Sequence, residues 1–373
     1  MLIASKEFLN GTKLEMPNCC TECFLDDYLK KLIKEEDTLG KCSFCGSENV
    51  YLIDPQELQG YFDPLINLYT AQVEFYPIEL LKECEGRFIW EILAEDWGVF
   101  DDSEIGKAII EEMYEGDSKN GLSPDFLDNY VDREDEWYGV DKQLSDKLRV
   151  QWNEFCEEIT YKNRFFPQKK LDVDLLSEIL TYSDSIITTG EFLFRARLSP
   201  DGILLPATEI GAPPKQKAIE GRANPKWIPY LYLASDSDTA VSEVRSQVHN
   251  TITVGKFKVN NKISVIDLRN PYIDNPFMWG DRLAFVLDIY NFLRLLGDIL
   301  SKPVDRDKTT IEYLPTQYLC EFIKNQGFEG ILYKSFLGSG HNIVLFGEDK
   351  VDCIETKLYK VASIKVESEE VIE

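Results

Sequence analysis

Three groups of residues in this chain have types and spacings that could do chemistry. The first is Cys20-x2-Cys23, followed after eighteen residues by Cys42-x2-Cys45. Two cysteine pairs at this separation match a structural zinc site, where each pair turns tightly and points two thiolates at one ion. Gly46, directly after Cys45, suits the sharp turn of such a knuckle. Four sulfur ligands leave no open coordination position, so a Zn2+ held here would be structural and not catalytic. Cys19 rivals Cys20, although its spacing to Cys23 is one residue longer. The alternative reading is a set of reduced, buried thiols. Cys84, Cys156, Cys320 and Cys353 are scattered and read as small core residues.

The second group is cationic. Phe192-Leu193-Phe194-Arg195-Ala196-Arg197 reads as a strand whose period of two puts Arg195 and Arg197 on one face. Such a pair can fork onto a diphosphate, because each guanidinium bonds bidentately to phosphate oxygens. The same pattern also occurs on solvated sheet faces. The third group is Glu243 and Ser335. Glu243 flanks the apolar stripe of a helix (Ala240, Val241, Val244, Val248). That brings its carboxylate to the edge of the core, where desolvation and arginine neighbours could tune it, unless it is an ordinary surface glutamate. Ser335 ends a strand, where functional side chains are displayed. No histidine with an evident orienting acid accompanies it, so a nucleophilic role is not expected; His341, six residues on, is a rival base.

These residues need elements to position them. Tyr230–Ala234 reads as a strand with Tyr230 and Tyr232 on one face, followed by a helix capped among Ser235 to Asp238. Pro315 opens a helix with Leu319, Phe322 and Ile323 as its stripe, and Gly327 ends it. Gly330–Ser335 is then a strand, Gly338-Ser339-Gly340 a loop, and His341–Phe346 the returning partner. Residues 270–312 look like a long helical insertion. From Pro55 to about Leu180 apolar residues recur at spacings of three and four, as in Phe88, Ile89, Ile92 and Leu93. Ile105, Ala108, Ile109 and Met113 form a second stripe, and Leu144, Leu148, Trp152 and Cys156 a third, with a loop at Gly121–Pro124. This stretch reads as a helical bundle.

Charge limits the function classes. The 373 residues carry a net −26, and residues 51–180 alone hold 31 acids against 12 bases. General nucleic-acid binding relies on basic neutralisation of phosphates, so direct nucleic-acid binding is not expected. The longest apolar segment, Leu283 to Leu300, carries Asp288, Arg294 and Asp298, and the first twenty residues lack an apolar leader core. Nine cysteines, an odd number, argue against a complete disulfide framework. The expectation is a cytoplasmic, multidomain α+β protein with no membrane contact. Its expected segments are a zinc knuckle over 1–53, an acidic helical domain over 54–185 and a mixed α/β domain over 186–373.

The series Phe194-Arg195, Gly221-Arg222-Ala223-Asn224, Tyr232-Leu233-Ala234, Ala240-x2-Glu243, Gly330-Ile331-x3-Ser335 and Asn342-Ile343-Val344-Leu345-Phe346 resembles the RES domain, a family named for its arginine, glutamate and serine. The resemblance covers roughly residues 190–350. The knuckle and acidic helices resemble the N-terminal extension of longer RES proteins. Acidic helical domains of this kind are also similar to the HEPN nuclease class, which pairs an arginine with a histidine a few residues downstream. That segment holds no histidine, since the chain has only His249 and His341, so a working nuclease is not expected.

The resemblance implies a fold related to ADP-ribosyltransferases and cleavage of the nicotinamide–ribose bond of NAD, in a family whose small members are toxins paired with Xre-type antitoxins. It assigns Arg195, with Arg197 as competitor, and Arg222 with Asn224 of its Gly-Arg-x-Asn motif, to holding the diphosphate or ribose. Tyr232 becomes a wall for the nicotinamide or its ribose, Glu243 the family glutamate and Ser335 the family serine. NAD would be a consumed substrate, because no Gly-x-Gly-x-x-Gly follows a strand and no phosphate-binding loop or His-Glu-x-x-His occurs. The leading expectation is an NAD glycohydrolase or phosphorylase acting as a toxin or defence effector. Alternatives are a mono-ADP-ribosyltransferase and a non-catalytic interaction module. An antitoxin or other regulatory protein, and a second copy of the chain, are the partners to expect.

Overall fold

Aspartates placed just before apolar-periodic stretches cap several of the helices, and short strands flank the cysteine pairs. The computed structural model describes residues 17–74, 86–115, 126–133, 144–273, 275–302 and 309–363. Cys84 and the loop expected at Gly121–Pro124 lie outside the described residues. The chain forms two compact units, Met1–Lys142 with Ile273–Leu287, and Gln143–Tyr272 with Asp288–Glu373.

In the first unit the order is β1 (Cys19–Cys20), α1 (Asp27–Glu35), β2 (Leu39–Gly40), β3 (Val50–Ile53), α2 (Pro55–Ile66), β4 (Tyr69–Ala71), α3 (Ile89–Glu95), α4 (Ser103–Met113) and β5 (Val131–Arg133). Strands β1, β3 and β2 make one antiparallel sheet, and β4 pairs with β5. The acidic stretch therefore contains a small ribbon among its helices. Asp26, Asp54 and Asp102 cap α1, α2 and α4 by accepting backbone N–H groups of the first turn. One core joins Cys19, Cys23 and Phe24 to Leu29, Phe62, Ile89 and Phe100, and it includes Phe277 and Leu283 of the later segment. The stripe expected on α4 is rotated. Gly106 and Ile110 are buried with Ile109 and Met113, whereas Ala108 is exposed. Gly106 permits this, because the Phe100 ring lies where a Cβ would stand.

The second unit runs α5 (Leu144–Tyr161), α6 (Val173–Leu180), β6 (Asp184–Ile187), β7 (Phe192–Leu198), α7 (Ala207–Ile210), β8 (Leu231–Ala234), α8 (Ser237–Glu243), β9 (Thr251–Val259), β10 (Ile263–Asp267), the part of α9 (Leu283–Ser301) from Asp288, α10 (Thr309–Glu312), α11 (Leu314–Asn325), β11 (Gly330–Lys334), β12 (His341–Leu345) and β13 (Val351–Lys360). Its eight-stranded sheet has the order β13-β9-β7-β8-β12-β11-β10-β6, with β10 and β11 its parallel pair. Leu193, Leu231, Leu233, Phe257, Ile343 and Leu345 form a core on one face, as period two requires.

One seam of this sheet is barely joined. Strand β7 pairs with β9 from Phe192 to Leu198, but it meets β8 only at Phe194 and Ala234. The two strands splay apart and leave main-chain polar groups facing a gap.

Three sequence expectations are corrected here. The stripe of α8 stops early: Ala240 is buried with Thr239, Val241 and Val244 are half-buried, and Val248 is exposed. The helix ends at Glu243, and Arg245 adopts a positive φ of 49°, so the period cannot continue. On α11, Cys320 joins Leu319 and Ile323 in the core, with Phe322 only half-buried. Cys156 and Cys353 are only half-buried, Cys353 packing against the sheet core from its margin. Among the described residues, no helix is long and apolar enough to cross a membrane.

Candidate functional site

In the first unit, the sulfurs of Cys20 and Cys23 lie 3.8 Å apart, those of Cys20 and Cys45 3.5 Å, and those of Cys23 and Cys42 3.5 Å. All four lie within 4.8 Å of one another. A tetrahedral ion with metal–sulfur bonds of about 2.3 Å holds its sulfurs about 3.8 Å apart, so these thiols could bind one metal ion. The Cys42 sulfur accepts the N–H groups of Phe44 and Cys45, both at 3.4 Å. Hydrogen bonds from the Cys20 and Cys23 thiols, with these N–H groups, hold Cys42 well below the usual thiol range. Gly46 takes the positive φ, 76°, that the turn requires. Cys19 points away, donating to Ile53 O at 3.6 Å, and burial pushes its thiol up. It stands outside the cluster, so Cys20 is the fourth sulfur.

In the second unit, a cavity of about 370 Å³ opens where β7 and β8 part. This lies within the size range of small-molecule sites. Its walls are Phe194, Arg195 and Ala196 from β7, Tyr232 to Ala234 from β8, Ala240, Glu243 and Val244 at the end of α8, and Tyr333 and Asn342 from β11 and β12. Glu243 is placed by the last turn of a helix whose N-cap, Asp236, accepts the Thr239 N–H. Its Oε1 accepts from Ser335 Oγ at 2.6 Å and from Asn342 Nδ2 at 2.8 Å. Ser335 Oγ accepts in turn from the N–H groups of Leu337 at 3.2 Å and Gly338 at 2.9 Å. Those two donors fill the serine lone pairs and direct its proton to the carboxylate. Neutral donors therefore hold Glu243, not the arginines expected beside it. The glycine loop lies against the start of α8: Gly340 N donates to Thr239 Oγ1 at 3.0 Å, and a Cβ on Gly340 would strike Asp236 and Ser235.

Arg195 crosses the splayed seam to donate from Nη1 to Tyr232 O at 3.3 Å. Among the described residues it has no carboxylate within ion-pair distance. Burial, and secondly the charge of Arg197, lowers its pKa to about 10. A half-buried cation without a paired anion favours an anionic ligand. Arg197 lies outside the cavity wall. Its Nη2 donates to Gly211 O at 2.6 Å, and its buried Nε has no hydrogen-bond partner. Burial lowers its pKa too.

The Tyr232 ring lines the cavity, but its hydroxyl is committed, donating to Asn224 Oδ1 at 2.7 Å and accepting from Ala223 N at 3.1 Å. Asn224 Nδ2 donates to the carbonyls of Ile219, Pro225 and Ile228, so this buried side chain shapes the loop and does not reach the cavity. The Arg222 Nη1 donates to Leu300 O at the end of α9, and its carbonyl accepts from Thr316 Oγ1 at 2.6 Å. Cation and helix C-terminus attract each other there. The structure thus gathers Arg195, Tyr232, Glu243 and Ser335, while Arg197, Arg222 and Asn224 are engaged in the surrounding loop. His341 is not in the wall: its Nε2 lies 3.3 Å from Arg269 Nη1, and burial, then that cation, lowers its pKa.

Two wall residues escaped sequence reasoning, Asn342 and Tyr333. They are cross-strand partners on β12 and β11, so their side chains leave the sheet on the same face. Each sits in a largely apolar strand next to one charged or titratable end residue, Lys334 or His341, and so reads as core; only the position of Tyr333 two residues before Ser335 signals a shared face.

Residues 193–363 match the family model of the RES domain, and residues 35–172 match that of HEPN/RES N-terminal domain 1. The chain carries a RES domain. The wall residues Phe194 to Asn342 all fall within it. No curated protein matches the chain. Among solved structures, a chain from the crystal structure of the M. tuberculosis MbcT-MbcA toxin-antitoxin complex aligns with 14% identity over 50% of this chain and 92% of its own. Its TM-score of 0.26 is too low to support an argument.

Proposed function

We propose that the RES domain of this chain cleaves the nicotinamide–ribose bond of NAD, passing the ribose to water or inorganic phosphate, and that the protein acts as a toxin or defence effector. The observation that carries this reading is the cavity at the splayed seam, where a carboxylate held by Ser335 and Asn342 shares its walls with an arginine lacking a counter-ion. In the reaction the bond from ribose C1′ to the pyridinium nitrogen breaks, and its electron pair stays with nicotinamide, which leaves neutral. The sugar passes through an oxocarbenium-like state. Glu243 stabilises that positive charge and accepts a ribose hydroxyl proton in a hydrogen bond. Arg195 binds the diphosphate, and the Tyr232 ring supplies a flat apolar wall. The acceptor oxygen then bonds to C1′ through a lone pair; water releases one proton to solvent, whereas an anionic phosphate oxygen has none to lose. Remote binding at the diphosphate orients the reacting carbon.

In the first unit the fitting ion is Zn2+, held by Cys20, Cys23, Cys42 and Cys45 as a structural centre. A regulatory protein of antitoxin type is the partner that a toxin reading implies. The test incubates the protein with NAD, with and without inorganic phosphate, and identifies the ribose product. ADP-ribose marks water as acceptor, and its phosphorylated form marks phosphate. NAD that stays intact under both conditions contradicts the reading.

A further inference from the structure

Burial removes a phenol from water, and a buried hydroxyl without a protein partner costs free energy unless a ligand takes it. Tyr232 and Tyr333 both line the cavity, and their hydroxyls differ in this respect. That of Tyr232 is spent on Asn224 and Ala223. Tyr333 is only 6% exposed, yet its hydroxyl has no hydrogen-bond partner among the described residues. Tyr333 lines the cavity, and its oxygen is not among the fully enclosed unpartnered atoms of the described residues, such as Tyr230 Oη.

Its surroundings indicate what it meets. Tyr333 pairs in register with Asn342, whose amide holds Glu243, and it feels the charges of both Arg222 and Glu243. Burial raises its pKa, which keeps the hydroxyl protonated and therefore a donor.

We propose that Tyr333 is a substrate-contacting residue, whose hydroxyl donates a hydrogen bond to the ribose diol beside the hydroxyl taken by Glu243. This rests on the reading of the cavity as a ribosyl-transfer site. A sugar held by an acceptor on one hydroxyl and a donor on its neighbour is fixed in both position and rotation, which neither contact achieves alone. Such a site discriminates against sugars lacking a hydroxyl, because Tyr333 would again be left unpaired.

The test compares wild type with Tyr333→Phe, which keeps the ring in the wall and removes only the oxygen. Two measurements are made on each: nicotinamide release from NAD and from its analogue lacking one hydroxyl of the nicotinamide ribose, and calorimetric binding of ADP-ribose. At unchanged melting temperature, the variant should lose about tenfold in kcat/KM on NAD and bind ADP-ribose about tenfold more weakly. Of the 2′- and 3′-deoxy analogues, the one missing the Tyr333 contact should be used about equally by both proteins. Equal use of NAD and equal ADP-ribose binding overturn the assignment, as does a tenfold loss repeated on both deoxy analogues. Wild-type binding of ADP-ribose without turnover would fault the catalytic reading and still test Tyr333 through the binding arm. If wild type neither binds nor turns over, both fall.

Discussion

Glu243 Oε1 accepts two hydrogen bonds from neutral donors, so loss of either donor leaves the carboxylate less well fixed. Asn342→Ala should lower kcat/KM for NAD about tenfold, as measured by nicotinamide release, with a smaller effect on KM alone. Arg195 and Arg197 should separate. Arg195→Ala removes the cation in the wall and should raise KM for NAD, whereas Arg197→Ala breaks the bond to Gly211 O and should lower the melting temperature. His341 gives a pH signature in stability. Its pKa in the folded protein lies below the ordinary 6.5, so the unfolded chain takes up the proton first. Stability from this group is complete above that value and declines as pH falls through the folded value. His341→Gln should flatten the loss of melting temperature between about pH 7 and pH 5. At this scale Arg195, Glu243 and Ser335 were legible as candidates through the resemblance to the RES domain, since residue type and position alone left a solvated strand face and a surface glutamate open. Tyr333 and Asn342 were not, because a polar group in a largely apolar strand shows its value only when a partner strand fixes what it faces.

At the scale of elements, the site depends on a helix end, a glycine loop and a seam. Helix α8 delivers Glu243 because the capping aspartate sets its start and the turn at Val244 sets its end. The glycine loop passes so near that start that Gly340→Ala would force Asp236 and Ser235 aside. Overpacking of this kind costs about 1–3 kcal/mol, and it should appear as a lowered melting temperature together with reduced activity, since the same loop carries the N–H groups bonded to Ser335. The strands and helices around the site were readable from periodicity and caps. The parting of β7 from β8 was not, because strands distant in sequence choose their registers through tertiary packing. The length of α8 was overestimated for a related reason: apolar spacing continued to Val248 after the backbone had turned at Arg245.

At the scale of the whole molecule, a net charge of −26 repels polyanions, yet the cavity wall includes a half-buried cation suited to a small one. The N-terminal core contains Cys19, Cys20, Cys23 and Cys42 with Phe24 and Phe62, so a metal at the cysteines would support that core directly. Metal analysis should find about one equivalent of zinc, and removal by a chelator should abolish hydrogen-exchange protection in β1 and β3. Retained protection in metal-free protein would refute a supporting role. The cysteine spacing was fully legible, whereas the inclusion of Phe277 and Leu283 in that core was not, because no local pattern links them to it. The most direct test of the central claim measures nicotinamide released from NAD by wild type and by Glu243→Gln, at matched melting temperature. The account predicts steady release by wild type and none detectable from the variant; equal release by the two would contradict it.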